Sequence, residues 1–200
     1  MKVISLPIEP RKTERQIPLS ERSDDQLILL AQSGKKSAFD QLVRRHQGRV
    51  LGIAMKYLGD INRARDVSQN SFLDLYRALS TYEAQGKFSS YLARIVINQC
   101  RMASRRTKGE TKNLARLASE PASSLQLSEE FLIRREERLR VERALDRLSP
   151  KLKEVLILRY VSEMSYQEIG DTLGLRLGTV KSRIFAGMGR LHRILESEGR

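Results

Sequence analysis

From Phe39 onward the apolar positions return at the spacing of one helix face: Phe39, Leu42, Val43, His46, Val50, Ala54 and Leu58. That stripe predicts an amphipathic helix laid on a core, punctuated by Gly59 and Asp60. A second helix follows with Ala64, Val67, Ser71, Leu75 and Leu79 along one side. A third, from about Ser89 to Arg106, turns Leu92, Ile95, Val96, Gln99 and Ala103 inward. No run alternates at period two for long enough to suggest a sheet. Residues 24–106 are therefore expected to form one helical domain, with His46 a partly buried structural histidine. Residues 1–23 hold three of the five prolines and little periodicity, which predicts a loose N-terminal tail.

The stripe fades over residues 107–128, TKGETKNLARLASEPASSLQLS, a small, polar and turn-prone stretch read as a flexible linker. About 20 extended residues can span about 70 Å, enough to hold the flanking units well apart. Helical pattern resumes near Glu129 and stops at Leu148. Ser149 then reads as an N-cap with Pro150 in the first helical position, ahead of Leu152, Val155 and Leu156. The next start is more explicit: Ser165 and Glu168 have capping-box spacing, and Met164 and Ile169 form the hydrophobic staple across it. Gly174 ends that helix as a residue able to take positive φ. A last helix, about Gly178 to Leu195, is expected to bury Val180, Ile184, Met188 and Leu191. The predicted class is all-α: two helical domains, 24–106 and 129–200, joined by a flexible linker, the second a helix-turn-helix.

Composition adds a partner. The 37 Lys+Arg against 24 Asp+Glu leave a net charge of +13, and residues 24–107 hold +7 of it. A surplus of that size is an electrostatic footprint for a polyanion, usually nucleic acid. Membrane surfaces compete for such charge, but no stretch approaches the roughly 20 apolar residues of a spanning helix, so no membrane insertion is expected. The start, MKVISLPIEP, lacks the apolar core of a secretory signal. The single cysteine, Cys100, excludes an internal disulfide and fits a reducing compartment, so a cytoplasmic location is expected. Two histidines and one cysteine make a structural zinc site of the usual kind unexpected. No metal, cofactor or catalytic residue is expected, since no glycine-rich phosphate loop, His/Cys/Asp cluster or nucleophile motif emerges.

Two constellations carry candidate chemistry. On a wheel of the last helix, Val180, Ile184 and Leu191 face a core while Ser182, Phe185 and Ala186 point away, flanked by Thr179 and Lys181. Such a face can present hydroxyl, cationic and aromatic groups to the major groove. A plain helical hairpin with a solvated polar face is the competing reading, weakened by the exposed Phe185 and the capped start. In the third helix, Arg94, Asn98, Arg101 and Arg105 fall at steps of four, three and four, forming one stripe opposite the apolar one. Just before it, Tyr82, Lys87, Phe88 and Tyr91 interleave aromatics with a cation, a composition suited to unpaired bases. Here a core role for the aromatics and a solvated basic face are strong competitors. Cys100 is expected to be a small core residue, and His192 has no evident partner.

At this point the chain resembles a known family. Residues 148–191, LSPKLKEVLILRYVSEMSYQEIGDTLGLRLGTVKSRIFAGMGRL, are similar to the fourth conserved region of extracytoplasmic-function sigma factors, chiefly through SYQEIG and GTVKSRI. FDQLVRRHQGRVLGIAMKYLGD, ARDVSQNSFLDLYRAL and FSSYLARIVIN resemble their second conserved region. The likeness covers about 24–106 and 141–195, in the family's order. It implies a factor that binds core RNA polymerase, directs it to promoters and promotes strand opening, without itself being an enzyme. Asp66, Gln69, Asn70, Phe72 and Leu73 then match the polymerase-docking helix. Ala78, Tyr82, Lys87, Tyr91, Arg94, Asn98, Arg101 and Arg105 match the region that holds the melted minus-ten strand, Asn98 at the place of a base-contacting asparagine. Arg159, Arg176, Thr179, Lys181, Ser182, Arg183 and Phe185 match positions on the minus-thirty-five duplex. An anti-sigma factor is an expected further partner. Three departures stand out: Asn70 where the family often has an acidic residue, Tyr91 in place of its usual tryptophan, and Arg176 where a small or capping residue is common.

Two rival readings remain at this stage. A stand-alone dimeric helix-turn-helix regulator would need a dimer surface and a palindromic site. An RNA-binding or nucleic-acid-modifying protein would need structured RNA as ligand or a catalytic set.

Overall fold

A computed structural model of the chain describes residues 17–83, 85–110 and 129–198. Every regular element among them is helical: α1 (Asp24–Gln32), α2 (Lys36–Leu58), α3 (Ile61–Ala78), α4 (Phe88–Glu110), α5 (Glu129–Asp146), α6 (Pro150–Tyr160), α7 (Tyr166–Leu173) and α8 (Leu177–Glu198). The first four pack around α2, and α8 gathers α5, α6 and α7 into a second unit.

The local signals act as the sequence suggests. Gly59 closes α2 in the left-handed region at φ 67°, and Asp60 then caps α3 by accepting from the Arg63 amide at 2.8 Å. Leu42, Val50, Ile53 and Ala54 of α2 meet Ala64, Val67 and Leu75 of α3 and Leu92, Val96 and Ile97 of α4 in a buried core. Burying each large aliphatic side chain contributes about 1.5–3 kcal/mol, which is what holds these otherwise very polar helices together. Cys100 is buried in the same core, and burial pushes its thiol up to about 12.

Two regions depart from the sequence reading. Of the tail expected over 1–23, residues 1–16 lie outside the described residues, but Leu19–Glu21 form a 3-10 turn. Arg45 of α2 holds it, donating to the carbonyls of Ser20 at 3.0 Å and Arg22 at 2.8 Å and pairing with Asp24 at 2.6 Å. Ser23 and Gln26 then close a capping box on α1. At the linker, α4 runs on past residue 106 to Glu110, and residues 111–128 lie outside the described residues.

In the second unit α6 is buried nearly all round. Val155, Leu156, Ile157 and Leu158 are core, and Lys153 and Glu154 beside them are only 6% and 2% exposed. α8 buries Val180 and Ile184 as expected and half-buries Leu191, but Met188 is 41% exposed, a correction to the predicted face. The inward place is taken by Gly187, where a β-carbon would stand 3.2 Å from Leu156. The missing side chain lets α8 settle closely on α6 and turns Met188 out.

Candidate nucleic-acid interface

The helix-turn-helix is built from α7, a short turn and α8. Ser165 Oγ accepts from the Glu168 amide at 3.2 Å, while the Glu168 carboxylate accepts from the Ser165 amide at 2.7 Å. These bonds hold the Glu168 carboxyl below the usual carboxylate range. Gly174 takes φ 67° to end α7. The Leu175 amide then donates back to the Gly170 carbonyl at 2.9 Å, folding the turn so tightly that a β-carbon on Gly170 would lie 2.8 Å from the Leu175 oxygen. Buried Ile169, Val180 and Ile184 lock the two helices together.

The outer face of α8 is free. Phe185 is 84% exposed, the most exposed of the large hydrophobic residues described, with Arg176, Lys181 and Ser182 exposed around it. Thr179 and Arg183 are half-buried at its edges. Arg159 sits apart, donating to the Met164 carbonyl at 3.0 Å with its guanidinium 5.3 Å from the Tyr166 ring. An exposed aromatic with no core to fill, ringed by cations and hydroxyls, is an arrangement that fits a DNA groove.

The second constellation is brought together, but against protein rather than solvent. Phe88 is core, edge-on to His46 at 5.2 Å and to Tyr82 at 6.1 Å. Tyr82 and Tyr91 are half-buried, with ring centroids 4.7 Å apart. Burial, with lesser contributions from nearby carboxylates and Tyr91, pushes the Tyr82 phenol up. The Gln32 amide pins the loop by donating to the Leu79 and Tyr82 carbonyls, both at 2.8 Å. His46 bonds Asp24 at 2.9 Å, a structural role as predicted.

Arg94, Asn98, Arg101 and Arg105 do share one stripe of α4. Arg101 donates to the Asn98 amide oxygen at 3.2 Å and grips Glu154 of α6 at 2.7 and 2.6 Å. Arg94 donates to the Thr172 carbonyl at 3.1 Å and to that of Asp171, and Lys87 pairs with the Asp171 carboxylate at 3.2 Å. Arg105 is exposed, and Ala78 is half-buried at the end of α3. Sequence reasoning missed Glu154 and Lys153, because buried ions on α6 imply a second surface that no local pattern announces.

The residues matched to polymerase docking lie along α3. Asp66, Gln69 and Asn70 are exposed, and Leu73 is 46% exposed. Phe72, Leu73 and Tyr76 line an apolar groove of about 470 Å³ with Phe39 and Val43 of α2. Phe39 and Tyr76 meet edge to face at 5.1 Å. Among the described residues no cluster of metal-ligating side chains occurs, and no helix is long and apolar enough to cross a membrane.

Comparison with known proteins agrees with this arrangement. Residues 42–110 match the family model of Sigma-70 region 2, and residues 138–191 match that of Sigma-70, region 4. The RNA polymerase sigma-H factor of Pseudomonas aeruginosa is 28% identical over 186 residues, covering 89% of this chain and 96% of the relative. The ECF RNA polymerase sigma factor SigW of Bacillus subtilis is 27% identical over 177 residues, covering 84% and 94%. Among solved structures, CnrH in complex with the cytosolic domain of CnrY superimposes with a TM-score of 0.69 at 27% identity, covering 87% of this chain and 97% of that one. With both regions matched in order and relatives aligned over nearly their whole lengths, the chain belongs to the sigma-70 family of RNA polymerase sigma factors, in its extracytoplasmic-function group, and serves to direct polymerase to promoters.

Proposed function

We propose the following division of labour for that activity. The unit spanning 24–106 docks on core polymerase through Asp66, Gln69, Asn70, Phe72 and Leu73, and the apolar groove beside them takes part in the contact. The stripe of Arg94, Asn98, Arg101 and Arg105, with Ala78, Tyr82, Lys87 and Tyr91, receives the melted minus-ten strand. Cations there hold phosphates, Tyr82 and Tyr91 offer ring faces, and Asn98 reads one flipped base. The unit spanning 129–200 reads the minus-thirty-five duplex through Arg176, Thr179, Lys181, Ser182, Arg183 and Phe185, with Arg159 on a phosphate.

The observation that carries this reading is the contrast between the two faces of α8: Ile184 is 5% exposed and Phe185, next to it, 84%. Base capture offsets the unpairing cost of a few kcal/mol only where the promoter supplies the right base, so opening is sequence-selective without a nucleotide cofactor. Catalysis stays with the polymerase, and the protein works in the cytoplasm. A partner of the anti-sigma class belongs to the same reading, supported by the relative CnrH, which was solved together with the cytosolic domain of CnrY. Family membership sets aside the stand-alone dimeric regulator.

Run-off transcription on fragmented genomic DNA, with purified core polymerase plus and minus this protein, tests the proposal. New start sites sharing two spaced elements are expected. Absence of new starts, together with tight binding to a palindromic duplex without core, would overturn it.

A further inference from the structure

Between α3 and α4 the chain carries Tyr82 and Lys87, two of the residues assigned above to the melted strand. Buried Leu79 and Phe88 anchor the ends of this connection. Its polar ties come from α1. The Gln32 side-chain amide gives one hydrogen to the Leu79 carbonyl and the other to the Tyr82 carbonyl, both at 2.8 Å. The Asp25 carboxylate accepts from the Gly86 amide at 2.8 Å, where the backbone turns at φ 71°. Asp25 and Gln32 stand seven residues apart, so they share one face of α1 and lie about 10 Å apart along it.

Tyr82 has no polar tie of its own. Its hydroxyl is buried without a hydrogen-bond partner among the described residues. The direction of its ring therefore follows from the backbone that Gln32 holds and from the rings of Phe88 and Tyr91. The cations of the stripe are placed differently. Arg94, Arg101 and Arg105 project from α4, whose Leu92, Val96 and Ile97 are locked in the core. Phosphate contacts fix register and base contacts carry sequence. The phosphate-holding groups are thus set by the core, whereas Tyr82 is set through α1.

We infer that Gln32 and Asp25 are positioning residues for promoter choice: by fixing the backbone at Tyr82 and Gly86, they preset the ring that meets one minus-ten base. The inference rests on the minus-ten reading of Tyr82 and α4. Freed of these bonds, Tyr82 takes other arrangements that admit other bases, while the α4 cations hold phosphates as before. One such hydrogen bond biases an equilibrium roughly fivefold, so losing those from Gln32 lowers base discrimination about three- to tenfold. Gln32 is exposed, and its replacement leaves the core untouched.

The test is run-off transcription by the holoenzyme, on a promoter found as above and on copies changed at each minus-ten position in turn. The quantity read is the ratio of product from the original promoter to product from each changed copy. Tyr82→Ala marks the position that Tyr82 meets. Gln32→Leu removes both donations, whereas Gln32→Lys keeps a donor; Asp25→Ala removes the acceptor, whereas Asp25→Asn keeps one. A change of charge alters binding to every promoter alike and cancels in the ratio. At the marked position, Gln32→Leu and Asp25→Ala should each lower the ratio about three- to tenfold, with assembly on core polymerase unchanged in a pull-down. Gln32→Lys and Asp25→Asn should restore it. Loss of product from all promoters in equal proportion would make the role merely structural and overturn the inference. A lysine variant as indiscriminate as the leucine one would overturn it too, since the donor would not be the cause. If Tyr82→Ala lowers the ratio and neither Gln32→Leu nor Asp25→Ala does, the positioning role fails and the minus-ten reading stands. If Tyr82→Ala and Asn98→Ala leave the ratio unchanged at every position, the minus-ten reading fails and the inference falls with it.

Discussion

Glu163 is the only non-glycine residue with positive φ among those described, at 55°. It lies in the turn that delivers α6 into the capped start of α7, its side chain is exposed, and among the described residues it makes no hydrogen bond or ion pair. An L-residue held in the left-handed region costs about 1–2 kcal/mol, because its β-carbon crowds the adjacent carbonyl. Glu163→Gly removes that cost but gives the unfolded chain more freedom, which returns about 0.4–1 kcal/mol. The steric gain wins, for a net stabilisation of about 0.5–1 kcal/mol. Glu163→Ala is the matching control: it deletes the carboxylate and keeps the β-carbon, so it should leave stability within about 0.5 kcal/mol, as an exposed site without special contacts does. Urea unfolding followed by circular dichroism would read both, with the midpoint rising in the glycine variant at unchanged slope. If alanine stabilises as much as glycine, the gain comes from losing the charge and the backbone argument fails. If glycine destabilises, the turn is not strained.

Other expectations are equally direct. Ser165→Ala removes the acceptor for the Glu168 amide and should cost about 1 kcal/mol, weakening duplex binding while leaving polymerase binding intact in a pull-down. Asn98→Ala should impair use of the minus-ten element in transcription while sparing holoenzyme assembly, and equal loss of both would remove Asn98 from strand recognition. Asp24 gives a pH signature. Burial alone would raise its carboxyl, but hydrogen bonds and charge from His46 and Arg45 outweigh it and hold the folded value below 3.8. A depressed carboxylate contributes stability that is present above its unfolded value and lost as pH falls through the folded one. The acid limb below about pH 4 should therefore be shallower in Asp24→Asn, measured by unfolding midpoints across that range.

The parts of this fold legible in the sequence are those whose causes are local. The α2 stripe, the Gly59–Asp60 punctuation, the Ser165/Glu168 box and the Gly174 terminus each depend on residues within one or two helical turns. The stripe puts Met188 inward, but the residue that faces α6 is Gly187, and a glycine contributes nothing to a hydrophobic stripe. The 3-10 turn at Leu19 has no local signal, because Arg45, more than twenty residues away, anchors it. The candidate site divides in the same way. The outward face of α8 could be read from its wheel, since none of the described residues covers it. The surroundings of the α4 stripe could not, since Glu154 and Lys153 look like surface residues until another unit covers them.

That two of the α4 guanidinium groups, those of Arg94 and Arg101, already have partners bears on how the protein responds to ionic strength. A free cation that meets a phosphate sets a condensed counterion loose, and the count of such ions fixes how steeply affinity falls with salt. Arg101 must first leave Glu154, and the vacated carboxylate then draws a cation from solution, cancelling part of the release. Salt that screens the strand also loosens the exposed Lys87–Asp171 pair competing with it. The unaided chain should therefore take up single-stranded DNA with a shallower salt slope than its number of phosphate contacts implies.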